Sequence, residues 1–310
     1  MKKQLHVAAA AICRDDQVFI SLRDADKHQG GLWEFPGGKI EEGETALAAL
    51  SRELEEELGI RVTEASPLIQ VPYDYPDLTV CLHIFEVTAF EGEPWGKEGQ
   101  PTRWIKRNEL ADYTFPAANQ PIVNACLLPK ALMITPEVQD SEAVLTAVKT
   151  ALAKGAQGVV LRSANSESEA FKTKASELLA FAEKENIWVS LNTSVAVAND
   201  LNAQALHLNR HRLAELTSRE EFNGQWLSAS CHDAQSLNMA LEKGVDFVFL
   251  SPVLPTASHP GEAILGLGGF AELANSVPLP VFALGGVELK DLSQLNQAGA
   301  TGFAAISAWS

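Results

Sequence analysis

The first 128 residues mix two periodicities. Apolar stretches at 4–13, 17–22 and 79–90 suit β-strands, the first two joined by a turn at Arg14-Asp15-Asp16-Gln17. Residues 44–58 (ETALAALSRELEEEL) repeat differently. Leu47, Leu50, Leu54 and Leu58 recur at three- and four-residue steps and should face a core, which predicts a helix that Gly59 ends. A second helix is expected over 117–128, after Phe115-Pro116. From about residue 130 the rhythm changes. Short apolar strands at 131–135, 158–162, 187–192, 205–209, 226–230, 247–253, 280–286 and 302–307 alternate with helical stretches. This βα order predicts a parallel α/β architecture, most simply a compact (β/α)8 barrel. The chain stops three residues after the last strand candidate, so the barrel is expected to lack its last helix, with 117–128 a candidate to cover the gap. The expected domains are 1–128 and 129–310.

Length agrees with that division, since 310 residues allow two domains of roughly 100–200 residues each. Hydrophobic residues at 46% and charged residues at 21% are enough to bury a core. The net charge of −16 argues against a general DNA or RNA binder, which needs a basic face for phosphates. It leaves a nucleotide enzyme open, because carboxylates can hold a metal that meets the phosphates. The charge is even: 13 basic against 21 acidic residues in 1–130, and 24 − 13 = 11 against 40 − 21 = 19 beyond, −8 each. Cys13, Cys81, Cys126 and Cys231 are far apart and form no C-x-x-C pair, which suits a reducing cytosol and excludes a zinc ribbon or a disulfide framework. The opening MKKQLHVAAAAICRDD has a signal-peptide look, but its short apolar run passes directly into charge and reads as a first strand. No window reaches the ~20 apolar residues of a membrane helix. Neither a membrane nor a nucleic acid is therefore an expected partner.

The strongest chemical signal is GGKIEEGETALAALSRELEEELGI at 37–60. Gly37, Gly38 and Gly43 let backbone approach a ligand closely. On the helix that follows, Glu53, Glu56 and Glu57 fall at about 0°, 300° and 40°, one face, while Glu55 points to solvent. Three crowded carboxylates repel one another unless cations neutralise them, and hard oxygen ligands select Mg²⁺ or Mn²⁺. Arg52, at the edge of the cluster, can orient one of them.

The spacing Gly38, five residues, Glu44, seven residues, Arg52-Glu53-Leu54, one residue, Glu56-Glu57, one residue, Gly59-Ile60 matches the Nudix box at every specified position. Residues 1–128 further resemble the MutT-type 8-oxo-dGTP diphosphatases, through Glu34-Phe35-Pro36-Gly37-Gly38-Lys39-Ile40, the stretch Glu91 to Pro101 and Pro116-Ala117-Ala118-Asn119. The resemblance implies a Nudix α/β/α sandwich. It also implies Mg²⁺ held by Glu53, Glu56, Glu57, Glu98 and the carbonyl of Gly37 or Gly38, with attack at the β-phosphorus releasing nucleoside monophosphate and diphosphate. Glu53 or Glu98 is the implied general base. Arg23 would meet phosphate or sugar, Phe35 and Asn119 would hold the base, and His28, Glu34 and Pro36 would line the same pocket. In blander readings Asn119 caps the 117–128 helix, Phe35 is core and His28 is a solvated loop residue. One departure is Leu78, where relatives often carry a basic residue.

In a parallel barrel, ligands bind at strand C-termini, and phosphate often sits after strands seven and eight. Gly285-Gly286 and Ser307 occupy those places and could cradle a phosphate, or the glycines could merely turn the chain. Residues 131–310 resemble the thiamine-phosphate synthase and TenI family through Gly244 to Phe247, Ser251 to Thr256, Leu265-Gly266-Leu267, Ala283 to Gly286 and Ala298-Gly299-Ala300. The synthase's own pattern is broken: Arg162-Ser163-Ala164, Asn192-Thr193, Asn209-Arg210-His211-Arg212 and Ser258-His259 stand where metal-binding aspartates and phosphate-binding lysines are expected. His207 and His259 are the candidate acid/base groups. The resemblance implies as ligand a phosphorylated thiamine-pathway metabolite, such as a thiazole or pyrimidine. Two alternatives stay open: Nudix chemistry on a thiamine-pathway diphosphate, and a barrel that only regulates.

Overall fold

The computed structural model describes residues 3–26, 29–74, 78–137, 140–256 and 263–309. The chain divides into two compact units, Met1–Leu128 and Pro129–Ser310.

The first unit contains β1 (Lys3–Arg14), β2 (Gln17–Leu22), β3 (Trp33–Glu34), β4 (Gly37–Lys39), α1 (Ala46–Leu58), β5 (Arg61–Asp74), β6 (Leu78–Glu91), β7 (Thr102–Lys106) and α2 (Gln120–Leu127). Its sheet runs β3-β2-β1-β6-β5, with β4 also on β1 and β7 on β2; β1 and β6 are parallel. Period-two alternation along β1 builds two cores. Ala8, Ala10 and Ile12 join Leu50, Leu54 and Leu58 of α1, while Ala9, Ala11 and Cys13 join Ile122, Val123 and Cys126 of α2. The small alanines let helices lie close on both faces of this central strand.

The expected strands over 4–13, 17–22 and 79–90 are present. The second helix begins later than expected, because Ala117–Asn119 form a 3-10 turn before α2. Its apolar residues are buried in the first unit's own core, so the expectation that this helix covers a gap in the barrel is corrected.

The second unit is a closed barrel of parallel strands β8 (Ala131–Ile134), β9 (Gly158–Leu161), β10 (Trp188–Asn192), β11 (Ala205–Leu208), β12 (Trp226–Cys231), β13 (Phe247–Leu250), β14 (Val281–Leu284) and β15 (Gly302–Ala305), with β15 closing on β8. Around it lie α3 (Ser141–Ala153), α4 (Glu169–Glu185), α5 (Val195–Asp200), α6 (Arg210–Glu215), α7 (Ala234–Glu242), α8 (Gly266–Ala274) and α9 (Leu292–Gln297). Helix starts are written in the sequence: Asp140, Ser168, Asn209 and Asp233 each accept a backbone N–H of the helix they cap. Inside, Phe247, Phe249 and Phe282 pack with ring centroids 5.3–5.8 Å apart. After β15 comes a 3-10 turn, Ser307–Trp309. There the buried Trp309 stacks on Phe303 at 5.7 Å and donates its indole N–H to the Leu132 carbonyl at 3.2 Å. An indole thus covers the β15–β8 seam. No helix among the described residues is long and apolar enough to cross a membrane.

Candidate functional site

Helix α1 starts at Thr45, whose hydroxyl accepts from Ala48 N at 3.2 Å, and ends at Gly59 in the left-handed region (φ +70°). Leu50, Leu54 and Leu58 are fully buried, and this stripe fixes the helix's rotation. Leu47 is 45% exposed, which corrects the expectation that it faces the core. It lies in the first turn, where the smaller Ala49 fills the core position against β1.

The buried stripe leaves Glu53, Glu56 and Glu57 on the neighbouring face, at the edge of the core. Arg52 ties the cluster together. Its Nε and Nη2 donate to the two oxygens of Glu44 at 2.8 and 3.0 Å. Its Nη1 donates to Glu53 at 2.9 Å and to Glu56 at 3.4 Å, and Nη2 also reaches the Lys39 carbonyl at 3.1 Å. Hydrogen bonding to this guanidinium brings the Glu44 carboxyl down to about 2, so the clamp stays charged at any working pH. Glu53, only 15% exposed, rests against Gly38. A Cβ on Gly38 would lie 2.2 Å from the Glu53 carboxyl carbon, so any larger residue would push that carboxylate aside. At Gly37 (φ +148°) a Cβ would stand 2.2 Å from the Ala8 carbonyl across the β1–β4 ladder.

Glu98 arrives on a loop fastened to the last turn of α1. Trp95 N donates to the Leu58 carbonyl (3.2 Å) and Lys97 N to that of Glu57 (2.9 Å). Lys97 Nζ donates to the Glu55 carbonyl at 2.9 Å. Gln100 donates to the Glu57 carbonyl at 3.3 Å and accepts from Glu98 N at 2.9 Å. The donor set is all hard oxygen, one carboxylate is pressed into a glycine cradle, and an arginine orients it. These residues fit a hard divalent cation.

Beside this centre is a cavity of roughly 260 Å³ whose walls include Arg23, Glu34, Phe35, Gly37, Leu78 and Asn119. Arg23 pairs with Glu34. Phe35 is both core and wall: it is buried and stacks on Phe115 at 5.3 Å. Asn119 makes no capping bond to α2 from its side chain, so the cap reading fails. Pro36 offers its carbonyl to Ala10 N at 2.9 Å. His28 lies outside the described residues.

The barrel has its own cavity, roughly 580 Å³, at the strand C-termini. Gly285 (φ +95°), Gly286 (φ +69°) and Ser307 line it, together with His207. The ring nitrogens of His207 meet the hydroxyls of Ser228 (2.9 Å) and Ser230 (2.8 Å), its face stacks on Phe249 at 4.6 Å, and burial lowers its pKa to about 3. Burial thus favours its neutral form. His259 lies outside the described residues. Where a metal carboxylate was expected after strand four, Asn209 caps α6 and Arg212 donates to Ser166 and Glu167. The cavity also contains Arg162, Asn192, Ser230 and His232, which sequence reasoning did not single out as ligand groups. Their only signal was position at strand ends. His232 Nδ1 lies 2.9 Å from the Ser251 carbonyl. A carbonyl can only accept, so Nδ1 carries the proton and Nε2 is the basic nitrogen.

Residues 131–309 match the family model described as thiamine monophosphate synthase, and residues 7–125 match the NUDIX domain. The 8-oxo-dGTP diphosphatase of Escherichia coli (strain K12) is 43% identical over 122 residues, 39% of this chain and 95% of that protein. The CTP pyrophosphohydrolase of the same organism is 36% identical over 123 residues, 40% of this chain and 91% of that protein. For the second unit, the "putative thiamine-phosphate synthase 2" of Aquifex aeolicus (strain VF5) is 28% identical over 180 residues, 58% of this chain and 97% of that protein.

Proposed function

The chain belongs to the NUDIX-domain hydrolases through its first unit and to the thiamine monophosphate synthase family through its second, and on that premise we propose that its first unit hydrolyses 8-oxo-dGTP to 8-oxo-dGMP and diphosphate. Such a reaction removes an oxidised nucleotide before a polymerase can use it. The observation that carries the reading is a nucleobase-sized cavity, walled by Phe35, Asn119 and Arg23, whose Gly37 adjoins the Gly38–Glu53 cradle.

In this reading Phe35 offers an apolar face to the base, and the Asn119 amide, donor and acceptor at once, reads its edge. Arg23 meets sugar or phosphate. Glu53, Glu56, Glu57, Glu98 and a carbonyl of Gly37 or Gly38 hold Mg²⁺ or Mn²⁺, which when bound neutralises the triphosphate and acidifies a water. Glu53 or Glu98 takes the water's proton. The water oxygen bonds to the β-phosphorus, the bond from that phosphorus to the α,β-bridging oxygen breaks, and the bridging oxygen leaves with the monophosphate. Arg52 holds Glu53 in position.

Competition between 8-oxo-dGTP, dGTP and CTP, followed by chromatography with Mg²⁺ and then with a chelator, tests this. The expected result is a strong preference for the oxidised base and no turnover under chelation. Equal rates on 8-oxo-dGTP and dGTP would overturn the substrate, and faster turnover of CTP would redirect it.

A second reading comes from the barrel. Gly285, Gly286, Ser307 and Arg162 suit the phosphate of a small thiamine-pathway metabolite, with His232 as the base facing it. Synthase chemistry is disfavoured because the expected aspartates and lysines are absent. Calorimetry with phosphorylated thiazole and pyrimidine, each with hydrolysis assayed in parallel, separates a binding barrel from a regulatory one. No binding of either overturns both.

A further inference from the structure

Three donors outside the carboxylate centre converge on the first unit's sheet. In the parallel pairing of β1 with β6, His6 stands beside Cys81 and Ala8 beside His83. Side chains two residues apart share a face of a strand, so His6, Cys81 and His83 all project from the face that packs α1. One ligand atom from each, an imidazole nitrogen from the two histidines and the Cys81 sulfur, lies within 4.8 Å of the others. His6 Nδ1 and His83 Nε2 are 3.0 Å apart, and their rings stack at 5.3 Å. Cys81 is buried, and among the described residues its thiol makes no hydrogen bond, unlike those of Cys13 and Cys231.

We infer that His6, Cys81 and His83 form a binding site for a borderline-soft divalent cation of the zinc type. The donor atoms are close enough to surround one ion at ~2.0–2.1 Å from nitrogen and ~2.3 Å from sulfur, leaving a fourth position for water. The chemistry selects against Mg²⁺, which takes oxygen ligands, and so against the cation of the carboxylate centre. Binding releases the thiol proton to solvent and forms the metal–thiolate bond; no redox change is involved. Burial and the neighbouring His6 keep His83 on the neutral side, the form that ligates, while burial raises the Cys81 thiol until a cation arrives.

Position gives the site a consequence. The His6 carbonyl accepts from Ile40 N at 3.0 Å, and Ala8 and Ala9 of the same strand pair with Gly38 and Gly37. A cation here braces β1 against β6 under the glycine cradle.

The test is titration of the reduced full chain with Co²⁺ in excess Mg²⁺. One equivalent is expected to produce a thiolate-to-cobalt charge-transfer band that carboxylate ligands cannot give, and to raise the melting temperature. Cys81→Ser should abolish the band. His6→Gln and His83→Gln should each weaken binding by more than about tenfold. Circular dichroism and basal hydrolysis would establish that each variant is folded, and the partly buried His6 and His83 are safer to replace than the buried Cys81. No band in the wild type at saturating Co²⁺, or a band that survives in Cys81→Ser, overturns the site and leaves a hydrogen-bonded histidine pair.

Discussion

The two units handle their polar groups in opposite ways. At α1, three acidic side chains, Glu44, Glu53 and Glu56, share a single arginine, and a glycine is kept bare so that one carboxylate can approach the backbone. In the barrel, polar groups near the strand ends are largely satisfied by the protein itself: His207 by two serines, Arg212 by Ser166 and Glu167, Asn209 by a helix start. The first arrangement is under electrostatic tension that a ligand relieves. The second is relaxed, apart from Arg162, His232 and the glycine end. Chemistry is found where the protein has left charge uncompensated.

The sharpest way to break this contrast is Glu53→Gln. It should lower kcat by about a thousandfold or more while the melting temperature holds, measured by diphosphate release; unchanged turnover would remove Glu53 from the reaction. Next comes Gly38→Ala. The added methyl would meet the Glu53 carboxylate, and a displacement of about 1 Å should cost about a hundredfold in kcat. A normal rate would mean the cradle is not needed. In the barrel, Arg162→Ala should weaken binding of the phosphorylated thiazole about tenfold and leave nucleotide hydrolysis untouched. If hydrolysis falls as well, the two units are functionally coupled and the contrast is too simple.

The smallest effect concerns His207. Its pKa is lowered from 6.5 to about 3 by burial, so below about 6.5 the unfolded chain takes up a proton that the folded barrel refuses. The contribution is fully present above 6.5 and is lost as pH falls toward 3, by at most about 1.4 kcal/mol per pH unit. The barrel of His207→Gln should therefore lose less melting temperature between pH 7 and pH 5 than the wild type. Equal slopes would show that another group sets the acid sensitivity.

What could be read in the sequence follows from how local the signal is. All eight barrel strands were visible because each is a short run buried on both faces. β5 was not: Pro67 and Pro72 interrupt it, and its register against β6 shifts between Val62 and Glu64 and again between Pro67 and Ile69. The carboxylate centre was legible because spacing along one helix determines which side chains share a face. Leu47 was misjudged because periodicity does not say how far the underlying sheet extends. The His6–Cys81–His83 cluster was invisible, since its parts meet only through a parallel pairing of strands 75 residues apart in sequence (81 − 6 = 75), which no local pattern announces. His232 was missed because a single polar residue after a strand looks the same whether it faces a cavity or solvent.

The loop that fastens to the end of α1 has a kinetic meaning. Glu56 and Glu57 lie in the helix's last turn, at the negative pole of its dipole, and that turn carries no basic residue. Lys97 and the amides of Trp95, Lys97 and Gln100 meet that pole from behind, while the carboxylates stand on its outer side. On the proposed function, a bare triphosphate should meet more repulsion on arrival than a nucleotide already carrying its cation. The placement of the carboxylates on the helix would then favour pairing charges before encounter rather than after it.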